Sequence, residues 1–190
     1  MKLIDLTVKD FIEEVSSNSP APGGGSVAAL ASSLGIALSN MVGKLSITKK
    51  KFKALDIEVQ NQFISTINEL ELSRKELTNF IDKDTEAFNL IMDAFKYPKE
   101  TIEEKEFRSM KIQEATLIAT LVPLEVTEFC LESLKKIETI LPYANRNTTS
   151  DLGVSILMIH AGFEGAIMNV LINIGGLKDE IKRNEINEKC

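Results

Sequence analysis

Apolar residues along this chain recur at spacings of three and four, and the every-second-residue alternation of a strand is nearly absent. The pattern predicts helices over about 6–16, 26–45, 54–95, 102–138, 151–174 and 177–187. Thr7 and Asp10 are spaced as a partial capping box for the first. SNSPAPGGG reads as a loop, and Ser26 as the N-cap of the second helix. That helix is rich in Ala, Ser and Gly, which allow close backbone approach, so it is expected to lie centrally. Pro98 ends the long third helix, Pro123 is expected to kink the fourth, and Gly175-Gly176 stops the fifth. The fold class expected is an all-α bundle of five or six helices, two of them long, in one domain spanning 1–190. The 151–174 helix is apolar almost all round, so it is either the centre of the bundle or partly a subunit interface. A homodimer is the structural expectation.

Composition narrows the class. Hydrophobic residues make up 44% of 190, enough for a sizeable core, while aromatics are 6% and Trp is absent, so that core is aliphatic. A net charge of −6 argues against nucleic acid as a partner, although Lys49, Lys50, Lys51 and Lys53 form a local basic cluster. Two cysteines, Cys130 and Cys190, make no CxxC pair, so no zinc or redox motif is visible. The first residues carry acids where a signal peptide needs an apolar core. The uncharged stretch from Ser19 to Gly43 reads as a buried helix rather than a membrane span, because prolines, glycines and polar residues shorten and dilute it. A cytoplasmic protein that does not insert in a membrane is expected.

Five features could carry chemistry. In Ser19-Pro-Ala-Pro22-Gly23-Gly24-Gly25-Ser26, the missing Cβ atoms let a ligand approach the backbone, and the following helix start offers free N–H groups. The loop reads equally well as a connector. It lacks the GK[ST] of a phosphate loop, and no strand precedes it as in a dinucleotide fingerprint. In IDKDTEAF, Asp84 shares the apolar stripe of Leu77, Phe80, Ile81, Ala87, Phe88 and Ile91, whereas Asp82 falls on the wetter side with Thr78, Asn79 and Glu86. A carboxylate in such a stripe is either a structural ion-pair partner or is aimed into a cleft. Ser150 and Asp151 read as caps of the next helix, or as groups beside a ligand at the bundle end. In that helix His160, the only histidine, and Glu164 share a face, among scattered polar residues that include Ser155, Asn169 and Asn173. HxxxE fits no zinc or di-iron spacing, so no metal is expected. Lys44, Lys49, Lys50, Lys51 and Lys99 read as a solvated face or as a clamp for a polycarboxylate tail.

SPAPGGGSVAALASSLGIALSNMVGKLSITKKKF resembles the signature of the cyclodeaminase domain of formiminotransferase-cyclodeaminases, a family that includes stand-alone methenyltetrahydrofolate cyclohydrolases. IDKDTEAFNLIMDAFKYPK, LVPLEV and TTSDLGVSILMIHAGFEGAIMNVLINI follow in family order, and the four blocks cover about residues 5–178. Tyr143-Ala-Asn145-Arg stands where the family has a Gly-Asn turn, and the chain shows no formiminotransferase part, as in the solitary form. The resemblance implies an all-α fold, a homodimer, and a tetrahydrofolate derivative bound near the glycine loop, with no further cofactor. It implies cyclodeamination of 5-formiminotetrahydrofolate or hydrolysis of 5,10-methenyltetrahydrofolate. Asp84 and Asp151 are the expected acid/base pair, with Glu164 and His160 supporting them. Pro22, Gly23, Gly24, Gly25, Ser26 and Ser150 are expected around the substrate. Lys44 and Lys99 would meet a glutamyl or polyglutamyl tail. The competing reading is a non-catalytic helical module that binds folate or another protein.

Overall fold

Helix formers, caps and a stripe of small residues shape the structure, a computed structural model that describes residues 2–190. It contains seven α-helices and no strand among the described residues: α1 (Val8–Val15), α2 (Gly24–Ile47), α3 (Lys50–Lys53), α4 (Ile57–Ala94), α5 (Ile102–Ile140), α6 (Thr149–Ile174) and α7 (Glu180–Asn187). The fold is all-α. Thr7 caps α1 by accepting the Asp10 N–H, and Thr101 with Glu104 forms a complete capping box on α5. Asp179 caps α7 through the N–H groups of Ile181 and Lys182.

The long helices α2, α4, α5 and α6 form a square in which α2 and α5 each pack against α4 and α6. Their pairings run in opposite order along α2 and α4, with Ser26 beside Asp84, Ser33 beside Thr78 and Asn40 beside Glu71. They do so along α2 and α6 as well, where Gly35 carries Ser155 and Gly24 faces Asn169. This is an up-and-down bundle. It brings the start of α2, the end of α4, the first half of α5 and the end of α6 to one end.

As expected, α2 is central. Ala29, Ile36, Val42, Ser26, Ser32 and Ser39 are essentially inaccessible. The seam between α2 and α6 is narrow because Gly162 packs on the carbonyl of Ala28 and on Ser32, where a Cβ would overlap both. Ser155 Oγ donates to the Gly35 carbonyl at 2.6 Å across the same seam. By contrast, α6 is not the centre. Leu152, Ser155, Ile159, Gly162, Ala166, Val170 and Ile174 face inward, while Val154, Leu157, Met168, Leu171 and Ile172 are exposed. By length and composition alone, Gly24–Ile47 and Arg146–Ile174 are apolar enough to cross a membrane.

Three local expectations need correction. Ser26 is not the N-cap of α2. Gly23 is, in extended conformation, and Ser26 lies buried within the first turn. Ser150 and Asp151 do not cap α6, which starts earlier, at Thr149. The short α3 was not anticipated; it exists to bury Phe52 edge-on against Phe63, ring centroids 4.9 Å apart. α5 runs through Pro123 as one helix.

Candidate active site

Asp84 lies half-buried at the end of the bundle where α2 begins. The α4 stripe that buries Leu70, Leu77, Phe80, Ile81 and Ala87 carries it towards the start of α2. Gly25 makes room for it: a Cβ on that residue would overlap the carboxylate. Asp84 Oδ2 accepts the Ser26 N–H at 2.8 Å, so one orphan donor of the helix start is satisfied by a side chain from the next helix. The Ser26 hydroxyl lies 2.8 Å from the Ile81 carbonyl and 3.1 Å from Asp84 Oδ2, and its single proton serves one or the other. Burial holds the Asp84 carboxyl above the ordinary carboxylate range, and the Ser26 hydroxyl and N–H pull it back part of the way.

Asp84 lines a cleft of about 310 Å³ together with Gly23, Gly24, Phe88, Asn169 and Asn173. Phe88 and Ile91 give it an apolar wall one and two turns beyond the acid. The N–H groups of Gly24 and Gly25 make no hydrogen bond among the described residues, so they are free to meet an acceptor at the positive end of α2. Across the cleft, Asn169 Nδ2 donates to the Gly165 carbonyl at 2.8 Å and Asn173 Nδ2 to the Ala119 carbonyl at 2.7 Å. Each amide keeps a second N–H and a carbonyl oxygen for a further partner. The cleft thus combines one protonatable carboxyl, backbone donors, amide acceptors and an apolar wall. It suits a flat, polar-edged heterocycle whose charge changes during reaction.

The expected residues divide between the two ends of the bundle. Pro22, Gly23, Gly24, Gly25 and Ser26 gather with Asp84; Pro22 is buried in the entering loop. Asp151 and Ser150 do not, because they begin the helix that Asn169 nearly ends. Eighteen residues separate Asp151 from Asn169, roughly 27 Å along α6. Within one chain Asp84 and Asp151 therefore share no site. His160 and Glu164 are both exposed on the outer face of α6, away from the cleft. Lys44 sits in the last turn of α2, nineteen residues and roughly 28 Å from Gly25. There it adds to the field on Glu71, whose carboxyl the hydrogen bond from Arg74 holds below the usual range. Lys99 lines a neighbouring cavity on the cleft side of the molecule.

Sequence reasoning passed over Asn169 and Asn173 as site residues. Their signal was present, two amides four apart in an otherwise apolar helix, and it was outweighed by His160 and Glu164. Asp82, assigned to the wetter side, is half-buried and its Oδ1 accepts the Leu3 N–H at 2.6 Å, tying the N-terminal segment to α4.

A sequence model of the family described as formiminotransferase-cyclodeaminase matches residues 7–190. A methenyltetrahydrofolate cyclohydrolase from Methylorubrum extorquens is 40% identical over 173 residues, which is 91% of this chain and 81% of that one. A formimidoyltransferase-cyclodeaminase from Mus musculus is 33% identical over 187 residues, 98% of this chain, and the chain spans only 34% of that longer protein. The crystal structure of a formiminotetrahydrofolate cyclodeaminase from Thermotoga maritima superposes with a TM-score of 0.83 at 28% identity, covering 97% of this chain and 86% of that one.

Proposed function

The chain belongs to the formiminotransferase-cyclodeaminase family, and from that membership we propose that it is a folate one-carbon enzyme: a formiminotetrahydrofolate cyclodeaminase, a methenyltetrahydrofolate cyclohydrolase, or both. The observation that supports this most is Asp84, a half-buried carboxyl with raised proton affinity at the glycine-lined cleft. Both reactions need one group to take a proton from an attacking N–H or water and return it to the departing nitrogen. A carboxyl shifted towards neutrality can do both.

In the hydrolytic direction, water adds to the methenyl carbon while Asp84 takes its proton. The bond from that carbon to N5 then breaks, N5 receives the proton, the new hydroxyl releases its own proton to solvent as the formyl carbonyl forms, and 10-formyltetrahydrofolate leaves. In the deaminating direction, N10 attacks the formimino carbon, its proton passes to Asp84, and the departing nitrogen takes a proton to leave as ammonia. The amide oxygens of Asn169 and Asn173 favour the cationic one-carbon centre, and the N–H groups of Gly24 and Gly25 favour a carbonyl edge of the pterin. The proposal needs no metal or cofactor beyond the folate.

The reading further includes a single helical domain, soluble in the cytoplasm, acting as a homodimer. The exposed apolar row Val154, Leu157, Met168 and Ile172 supports the dimer. It is nearly symmetric about Phe163, as an isologous pairing of α6 with its own antiparallel copy requires. Such a pairing carries the partner's Asp151 towards Gly175, one turn past Ile172 at the cleft rim. It is the arrangement in which the two expected carboxylates could serve one site. Sedimentation should then give a dimer, and Leu157→Glu with Met168→Glu a monomer.

The test of function is the near-ultraviolet methenyl band. Purified protein should accelerate its decay from 5,10-methenyltetrahydrofolate, or its appearance from 5-formiminotetrahydrofolate. Failure of both would move the assignment to a non-catalytic folate-binding module.

A further inference from the structure

The Ser26 hydroxyl has three polar neighbours and one proton. Its oxygen lies 2.8 Å from the Ile81 carbonyl, 3.1 Å from Asp84 Oδ2 and 3.1 Å from Thr85 Oγ1. A carbonyl and a carboxylate only accept, so the Ser26 proton goes to one of them, and the Thr85 hydroxyl donates its own proton to Ser26 Oγ. Elsewhere on α4, Thr66, Ser73 and Thr78 each turn the hydroxyl back onto the carbonyl four residues earlier. Thr85 does not, because Ser26 has taken the Ile81 carbonyl, and Thr85 Oγ1 has no other partner among the described residues.

The two acceptors can each do without the Ser26 hydroxyl. The Ile81 carbonyl lies inside α4 and takes the Thr85 N–H as its helical partner. Asp84 Oδ2 takes the Ser26 N–H at 2.8 Å. Whichever acceptor the hydroxyl leaves therefore keeps a donor, and the turn strands no polar group. Asp84 Oδ1 accepts no hydrogen bond among the described residues, so it is the oxygen open to a proton.

No charge faces Asp84 from the elements around it. The entering loop over 16–23, α2 over 24–43, α5 over 115–124 and α6 over 165–177 carry no charged side chain. On its own helix, Asp82 is held by the Leu3 N–H, Lys83 Nζ lies 4.4 Å from the Phe80 ring centroid, and Glu86 is exposed. Lys2 and Asp5, on the segment that Asp82 ties down, are exposed, and Lys99 and Lys178 belong to the neighbouring cavity. Burial raises the proton affinity of Asp84, and the Ser26 hydroxyl and N–H are what lower it.

We propose that the Ser26 hydroxyl is a two-position donor that follows the protonation of Asp84, and that Thr85 is the positioning residue that confines it to those two positions. While Asp84 is ionised, the hydroxyl points at Oδ2. When Asp84 takes a proton on Oδ1, the hydroxyl turns about its C–O bond to the Ile81 carbonyl, and Ser26 keeps its own proton throughout. Thr85 donates to Ser26 Oγ in both positions, which strengthens the Ser26 O–H as a donor. The carboxyl is thereby favoured as a base before it takes a proton and relieved of a donor after. That Asp84 exchanges this proton with a folate rests on the reading above; the switch itself does not.

The first test needs no substrate. The carboxyl carbon resonance of Asp84, identified by its loss in Asp84→Asn, reports the titration by NMR in the whole protein. Ser26→Ala removes the hydroxyl and keeps the N–H, so it should move that titration up by about one pH unit. The Ile81 carbonyl is then open to the Thr85 hydroxyl, and the variant should fold as the wild type does. Thr85→Val should move the titration the same way by about half as much, and Thr85→Ser should leave it in place. The Ser26→Ala, Thr85→Val double variant should match Ser26→Ala alone, because Thr85 acts through Ser26. No shift in Ser26→Ala, or two shifts that add, would overturn the switch. With 5,10-methenyltetrahydrofolate, the acid limb of kcat/KM should move by the same intervals. Shifts by NMR in a protein that turns over no folate would leave the switch standing and overturn the enzyme reading. Turnover whose acid limb stays put in Ser26→Ala would overturn the part of the switch in the reaction.

Discussion

Asn173 on α6 donates its amide N–H to the carbonyl of Ala119 on α5, at 2.7 Å. That carbonyl is available because the residue four positions on is Pro123, which has no N–H to give it. The proline thus creates an acceptor in mid-helix, and the acceptor fixes an asparagine that lines the cleft. Asn173→Ala should cost about 1–3 kcal/mol, the penalty of a buried carbonyl left unpaired. In a Pro123→Ala background the new N–H satisfies Ala119, so the same change should cost at least 1 kcal/mol less. Denaturant titration of the four proteins measures this; additive costs would remove Pro123 from the argument.

Gly25→Ala should separate folding from chemistry. Alanine is the better helix former by about 1 kcal/mol, yet its Cβ would occupy the place of the Asp84 carboxylate. The carboxylate must then leave Ser26, and folate turnover should fall more than tenfold while circular dichroism stays helical. Gly153→Ala is the control, since a Cβ there meets nothing within 4 Å. It should leave the protein as stable or slightly more so.

Asp84→Asn should lower turnover about a hundredfold or more if the carboxyl moves the proton. The wild-type rate should also rise on the acid side with an apparent pKa above that of an ordinary aspartate, because burial raises it. Stability carries the same signature. The folded state keeps the Asp84 proton at pH values where the unfolded chain, with a pKa near 3.9, has lost it. Wild-type stability therefore falls as pH climbs through that window, whereas the amide has nothing to lose. The stability of Asp84→Asn relative to wild type should grow from pH 4 upward; a constant difference would contradict the raised value.

The two cysteines should differ in reactivity. Cys130 is inaccessible, donates to Ser32 Oγ at 3.0 Å, and burial pushes its thiol up to about 11. Cys190 is exposed. A thiol reagent at pH 8 should modify one group in the native protein and a second only after unfolding.

What could be read from the chain depended on whether a helix had a polar face. In α4, Glu76, Asn79, Lys83 and Glu86 mark the wet side, so the phase of Asp84 within the apolar stripe was legible, and the structure places it there. In α6 no polar face exists to set rotation about the axis. His160, Glu164, Asn169 and Asn173 were all equally eligible to point inward, and the two that look most chemical point out. The seam residues Ser155, Ile159 and Gly162 decide the rotation through contacts with α2 that sequence spacing alone does not reveal. Within one chain Asp151 lies away from Asp84 for another reason. An up-and-down order already sets the start of α2 beside the end of α6, and the residues that open α6 at the opposite end. Ser26 shows the limit of capping preferences, since a good N-cap residue two positions late became a buried clamp on Asp84.

The seam of α2 against α6 works as a keyed joint with one seating. Gly162 admits the Ala28 carbonyl and Ser32, and one turn along, about 5.4 Å, the groove presents Met158 or Ala166 instead. The shaft cannot slip by a notch without driving a side chain into backbone. The glycine tip of α2 is therefore delivered to a set height above Asp84, machined by parts three to seven residues further along the helix that never meet the substrate.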